Sequence, residues 1–358
     1  MDSNSLQVWL EMLPEPAFAA CGNRIEAVNS PAKQLFLSPG DDLSALFLAG
    51  QEEYDAFTCG CICMSLHICG HPWSAAVTRT DGFNLFRLES LREDSLLRSY
   101  ALAARSLRLP LSTVMRSTNS LFASLKPDTQ AEKQMEKINQ GLYQLLRQVS
   151  NMSDAYQYAS APQQGMELGD LTWVLREVLE KCQAVTQEAG RKLEYTLPQD
   201  SCITRMNRSL LERAVCNLLS NALKFSSEGS CLHFSFQRSG AIARLTLYDP
   251  EAILTSEMLA TLHRRYTRQP GLEDPRQGTG LGLVLARCAA IAHGGTLLLA
   301  PDSRGGTRYC LTLQLNDQDD GVLRDHIQMD YAGNYDHILV ELSDVLPSRL
   351  YGPKQVND

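Results

Sequence analysis

No run of about 18 apolar residues occurs anywhere in the 358-residue chain, so no membrane span is expected. Basic residues are in deficit: 33 Lys plus Arg stand against 41 Asp plus Glu, a net charge of -8. Broad binding to nucleic acid or to an anionic membrane needs the opposite balance, so neither partner is expected. The first residues, MDSNSLQVWLEMLPEP, have no basic stretch ahead of their first apolar residues and do not read as a signal peptide. The eleven cysteines therefore read as reduced thiols rather than a disulfide framework, and a cytoplasmic protein is expected. What is present is ordinary for a globular chain: 44% apolar and 21% charged residues, at a length that suits two or three domains.

Four blocks follow one another, and together they predict a multidomain α+β fold. Residues 1–91 carry short apolar runs separated by Gly, Pro, Asn and Asp, the pattern of a small α+β domain with an antiparallel sheet. A strand at Ala17–Ala20 turns through Gly22-Asn23 into Ile25–Asn29, and a helix starts at Ser30-Pro31, where proline's missing N–H costs nothing. This block resembles a PAS sensor domain. Within it CGCICMSLHICGH places Cys59, Cys61, Cys63, His67, Cys69 and His71 close together. Alternate Cys point to one face of a strand, whereas structural zinc sites use two-to-four-residue gaps in paired knuckles. Cysteine also packs as a small hydrophobe, and that is the reading the spacing favours.

Residues 92–160 contain two long amphipathic stretches, Asp94–Leu125 and Thr129–Tyr158, joined by Lys126-Pro127-Asp128. In the second, Ile138, Leu142, Leu145, Val149, Met152 and Tyr156 recur every three or four residues as one apolar stripe. The pair predicts an antiparallel helical hairpin. Such a hairpin has too little to bury its stripe against, so a homodimer built through a four-helix bundle is expected, with packing on the chain's own domains as the alternative.

Residues 161–315 alternate helix and strand signals, an α/β sandwich. Here LLERAVCNLLSNALKFS carries Asn217, Asn221 and Lys224, whose spacings of four and three share one side of a helix. Amide oxygens suit a hard cation such as Mg2+, and a lysine meets phosphate as a point charge. Two Asn that cap or bridge elements would give the same spacing. About 60 residues on, GTGLGL places Gly278, Gly280 and Gly282 before an apolar helix, where bare backbone and a helix N-terminus can approach phosphate. GGTRYCLTL follows.

These motifs together resemble sensor histidine kinases and the wider ATP-binding fold shared with gyrase B and Hsp90. NLLSNALKFS is similar to the N box, GTGLGL to the second glycine box, GGTRYCLTL to the final strand, and Leu262–Arg268 (LHRRYTR) to the segment before the ATP lid. The resemblance implies ATP and Mg2+ as cofactors. Asn217 and Asn221 would hold Mg2+ and order the triphosphate, and Lys224 and Arg265 would touch phosphate or lid groups. Asp249 would accept the adenine amino proton, while Gly278, Thr279, Gly280, Leu281, Gly282 and Thr307 complete the nucleotide site.

Two positions depart from the family pattern. The first glycine box, normally Asp-x-Gly-x-Gly, reads Asp249-Pro250-Glu251-Ala252-Ile253, without either glycine. The acceptor motif His-Glu-Leu-Arg-Thr-Pro-Leu is replaced by Arg105-Ser106-Leu107-Arg108-Leu109-Pro110-Leu111. Arg105 stays protonated and cannot take up a phosphoryl group, Ser106 replaces the general base, and Leu109 the residue that supports dephosphorylation of the partner. The seven His stand at 67, 71, 233, 263, 293, 326 and 337, none in the hairpin. The sequence thus predicts a degenerate kinase with no catalytic residue at the usual position. It would bind ATP and Mg2+ and signal through a response-regulator receiver domain or another kinase. The alternatives are an active protein kinase or ATPase acting on a partner, and a structural interaction protein with a vestigial nucleotide site.

Residues 316–358 form an acidic extension with nine acids against three bases. Its apolar stretch, HILVELSDVLP, alternates at Ile338, Val340 and Leu342 and predicts an edge strand or a segment docked beneath the sensor.

Overall fold

The computed structural model describes residues 3–47, 50–57, 60–80, 82–90, 95–124, 129–161, 164–227, 229–252, 280–302, 304–315 and 335–352. They divide into two compact units. Strand β9 (Cys231–Ser239) and helix α8 (Leu281–Ala292) have residues in each.

The first unit holds helices α1 (Ser3–Glu11), α2 (Ser30–Lys33) and α3 (Gln51–Ala56) with strands β1 (Ala17–Cys21), β2 (Arg24–Val28), β3 (Gly60–Ile68), β4 (His71–Arg79) and β5 (Asn84–Ser90). It also holds β10 (Ile242–Asp249), β11 (Leu297–Pro301) and β12 (Thr307–Gln314). The sheet order is β2-β1-β5-β4-β3-β11-β12-β10, so strands from both ends of the sequence share one sheet. Leu299 pairs Cys63 across the β3–β11 joint, and Thr296 Oγ1 accepts the Ser65 N–H at 2.8 Å beside it. Phe18 stacks on Phe86 with ring centroids 4.5 Å apart, in a core that also takes Tyr54, Leu298 and Cys310. Asn29 organises the turn into α2. Its carboxamide oxygen accepts from Ala17 N and Ala32 N, and its nitrogen donates to three carbonyls. Cys61 and Cys63 are buried in β3 as packing side chains, and each described cysteine is a free thiol.

The second unit holds α4 (Ser95–Ser124), α5 (Thr129–Ser160), α6 (Leu171–Glu188) and α7 (Arg208–Phe225). It adds β6 (Glu167–Asp170), β7 (Lys192–Thr196), β8 (Ile203–Met206) and a short helix α9 (His337–Glu341). The sequence pattern did not indicate the small β6–β8 pair, since each strand has four residues and β6 includes Gly169. The hairpin helices run with their apolar stripe only partly covered. Leu142 and Val149 are buried, while Ile138 and Leu145 remain about half exposed at 49% and 54%. Asp170 and Asn207 cap α6 and α7 by accepting N–H groups of the first turn. Helix α7 is buried nearly all round, through Leu210, Leu211, Ala214, Leu218, Leu219 and Ala222. A polar side chain on it must therefore find partners inside the protein.

The tail corrects one expectation. HILVE is a helix capped by Asp336, not an edge strand, and it packs on α5, α6 and α7 of its own unit. Among the described residues no helix is long and apolar enough to cross a membrane.

Candidate functional site

Asn217 sits at the centre of α7 with no exposed surface. Its carboxamide nitrogen donates to the Arg213 carbonyl at 2.8 Å, one turn back, and lies 3.4 Å from Glu341 Oε2. Its carboxamide oxygen accepts from Arg147 Nη2 of α5 at 3.0 Å. Gly282, at the start of α8, lies against the same side chain: a Cβ there would stand 2.6 Å from Asn217 Oδ1. Two of the sequence-derived motifs therefore meet, and the meeting requires glycine. Gly280, just ahead of Leu281, has a φ of 75°, which also favours glycine.

One turn further along α7, the Asn221 carboxamide nitrogen is buried without a hydrogen-bond partner. Lys224, in the last turn, pairs its ammonium with Asp344 Oδ2 at 2.9 Å. Amide oxygens and a lysine suit a hard cation and a phosphate, and the unpartnered Asn221 nitrogen, an N–H donor, suits an acceptor such as a phosphate oxygen. Asn217 is already engaged by Arg147.

The other predicted residues lie in the first unit. Asp249 ends β10, fully buried, and pairs in register with Thr307 at the start of β12. Its Oδ1 accepts the N–H groups of Glu251 and Ala252 at 3.0 and 3.2 Å, so the carboxylate folds the altered glycine-box loop back on itself. Thr307 Oγ1 donates to the Ala252 carbonyl at 2.6 Å. Gly306 is needed there, since a Cβ would lie 2.2 Å from the Asp249 carbonyl oxygen. Burial, and then the neighbouring Asp249 carboxylate, pushes the Tyr309 phenol well above its ordinary value. Arg265, Gly278 and Thr279 lie outside the described residues.

Arg105, Ser106 and Leu109 are exposed on α4. Ser106 Oγ donates to the Ala103 carbonyl at 2.8 Å within the helix. Arg105 lines a cavity of about 550 Å³ between α4 and α5, with Arg98, Arg108 and Tyr156.

Four residues at the α7 site went unmarked in the sequence reading: Arg147, Arg213, Glu341 and Asp344. Arg213 pairs through Nε with Glu341 Oε1 at 3.0 Å, donates to Asn151 Oδ1 at 2.5 Å and contacts Asp154. Arg147 pairs with Asp344 at 2.7 Å and with Glu341 at 3.7 Å. The available signal was a charge within an apolar stripe, Arg213 among Leu210, Leu211 and Ala214, and Arg147 between Leu146 and Val149. Such a charge inside a buried face demands a counter-charge.

Comparison with known proteins places this geometry. Residues 206–317 match the family described as histidine kinase-, DNA gyrase B-, and HSP90-like ATPase. Those residues form an ATPase domain of that kind, and the chain is similar to sensor histidine kinases. Sensor histidine kinase CusS of Escherichia coli (strain K12) is 25% identical over 216 residues, 59% of this chain and 44% of CusS. Histidine protein kinase DivJ of Caulobacter vibrioides is 32% identical over 125 residues, 35% of this chain and 21% of DivJ. The chain thus spans less than half the length of CusS and of DivJ. Full-length ShkA in complex with AMPPNP shares the fold at a TM-score of 0.50 and 16% identity, over 61% of this chain and 46% of ShkA. The matched residues include Asn217, Asn221, Lys224 and Gly282, and also the Asp249–Thr307 pair.

Proposed function

We propose that this chain is a signal-transducing histidine kinase relative that binds ATP with Mg2+ and transmits its state by conformation, as a degenerate kinase. The observation that carries the nucleotide part is the packing of Gly282 directly on Asn217, which brings the second glycine box and the N box into one cradle. Asn217 and Asn221 would hold Mg2+ by their carboxamide oxygens, and Lys224 would meet a phosphate. The metal supplies charge neutralisation of the triphosphate when bound. Asp249 and Thr307 would bind the adenine end, with the turn closed by Asp249 Oδ1 replacing the looser backbone of a glycine-rich loop.

The degenerate part rests on Arg105, which offers no lone pair for phosphoryl transfer, and on a hairpin without histidine. The hairpin would serve dimerisation instead. Leu107, Val114 and Leu121 of α4, spaced by seven residues, and Ile138 and Leu145 of α5 are 49–56% exposed, an apolar seam suited to a second copy. The cavity lined by Arg98, Arg105 and Arg108 suits the acidic face of a receiver domain. Incubation of the full chain with γ-labelled ATP tests this reading. The expected result is no acid-labile label on the chain, and a phosphohistidine mapped to any position would overturn it.

The carboxylates on Asn217 and Lys224 favour a second reading, a structural interaction protein with a vestigial site. Calorimetry with Mg2+ and AMPPNP separates the two. A Kd below about 1 mM, roughly -4 kcal/mol, removes the vestigial reading.

A further inference from the structure

We propose that residues 335–352 are an internal, displaceable ligand of the nucleotide cradle, in which the Asp344 carboxylate holds the lysine a triphosphate would use and Glu341 anchors the segment on Arg147 and Arg213. The inference rests on the nucleotide reading above and names how that site is regulated.

The docking is a built site rather than a surface contact. Glu341 has no exposed surface and lies between the guanidinium groups of Arg147 and Arg213, themselves 3% and 1% exposed. Asp344 Oδ2 is shared by Arg147 at 2.7 Å and Lys224 at 2.9 Å. Asn217 completes the set by facing both Arg147 and Glu341. Carboxylate and phosphate oxygens seek the same charge-assisted donors. With the tail in place, the Lys224 ammonium is paired with Asp344. A phosphate cannot take that ammonium until the tail withdraws. Competition follows from the shared Lys224 nitrogen.

The segment is held in a way that permits release. It adds no strand to a sheet, and its helix has five residues. Its backbone is held by side chains of α5: Gln140 donates to the Leu346 carbonyl at 2.7 Å, Gln144 to Ser343 at 3.1 Å, and Asn139 to Tyr351 at 3.0 Å. Val340, Leu342 and Tyr351 supply the buried apolar area. Because the two acids tie α5 to α7 through Arg147, Arg213 and Lys224, the docked tail also couples the hairpin to the ATPase helix. Nucleotide entry would loosen that tie, and by linkage any signal that loosens the tie would favour nucleotide.

The test uses the full chain, wild type and D344N, titrated calorimetrically with AMPPNP in excess Mg2+. Amide hydrogen exchange is followed over residues 337–351. A closed form that dominates lowers apparent affinity by the fraction open, so D344N is expected to bind about tenfold tighter than wild type. Saturating nucleotide is expected to speed exchange across 337–351 of wild type. E341Q should exceed D344N in effect. Should it fail to fold for want of a partner to Arg213, D344N and the wild-type exchange still decide. Equal affinities with unchanged tail exchange would overturn the inference and leave the nucleotide reading standing. No binding to any of the chains at 1 mM nucleotide would overturn both.

Discussion

At the residue scale, the α7 site shows how tightly a polar cluster inside a helical core constrains its neighbours. Gly282 has its Cβ space taken by Asn217, so G282A must push a side chain held by Arg147 and by the Arg213 carbonyl. Overpacking of this kind costs about 1–3 kcal/mol. G282A is expected to lower the urea midpoint accordingly, and N217S in the same chain to recover part of the loss. Strict additivity of the two changes would show that the pair is not coupled. Arg213 illustrates a second rule. Alone, a guanidinium at 1% exposure would be prohibitive. With Glu341, Asp154 and Asn151 around it, removal is what costs, because buried acids lose their counter-charge.

Among the elements, the helices were the most legible parts. Apolar periodicity over 92–160 marked two stretches that agree with α4 and α5 to within two residues at each end, since a long amphipathic helix repeats its signal many times. Strands β9 and β10 alternate in sequence as they do in burial. The tail was misread for a physical reason. Ile338, Leu339, Val340 and Leu342 are all buried, because a short helix wedged among α5, α6 and α7 has no solvent face to impose a period. Residues 338, 340 and 342 then alternate by accident. Helix α4 also carries a testable surface. If Val114 and Leu121 form a seam with a second copy, V114E/L121E is expected to convert a dimer to a monomer in sedimentation velocity, with the helix signal in circular dichroism retained. A variant that sediments as wild type would exclude the seam. Pro110 stands inside α4, where it removes one backbone donor. Ser112 and Thr113 return hydroxyls to the carbonyls of Arg108 and Leu109 nearby.

For the molecule as a whole, the two units differ in how they depend on charge. The second concentrates buried ion pairs around α7, while the first holds, among its described residues, the sharply perturbed acid Asp302 at the turn between β11 and β12. Burial alone would raise its pKa. Hydrogen bonds from the Arg304 side chain and backbone and from Arg308 outweigh that and bring it to about 2, from an ordinary 3.8. A depressed acid stabilises the fold above its ordinary pKa, and that contribution disappears as pH falls through the folded value. The contribution is at most about 2 kcal/mol, with both arginines substantially exposed. D302N is therefore expected to be less stable than wild type at neutral pH. The gap should close between about pH 4 and pH 2, as read from urea midpoints across that range. A gap that stays constant with pH would assign Asp302 a merely steric role.

The two long helices of the hairpin and the Asn-bearing helix α7 were readable from the chain alone. Each is carried by residues close together in sequence, whose spacing expresses a local period or a local motif. That the first block and the last strands share one sheet through Cys63 and Leu299, and that Glu341 comes to rest on Asn217 from 124 positions away, were decided only in three dimensions. A counter-charge can arrive from any part of the chain, so an ion pair leaves no periodic trace in sequence. Only the burial of Arg147 and Arg213 determines which acids must meet them.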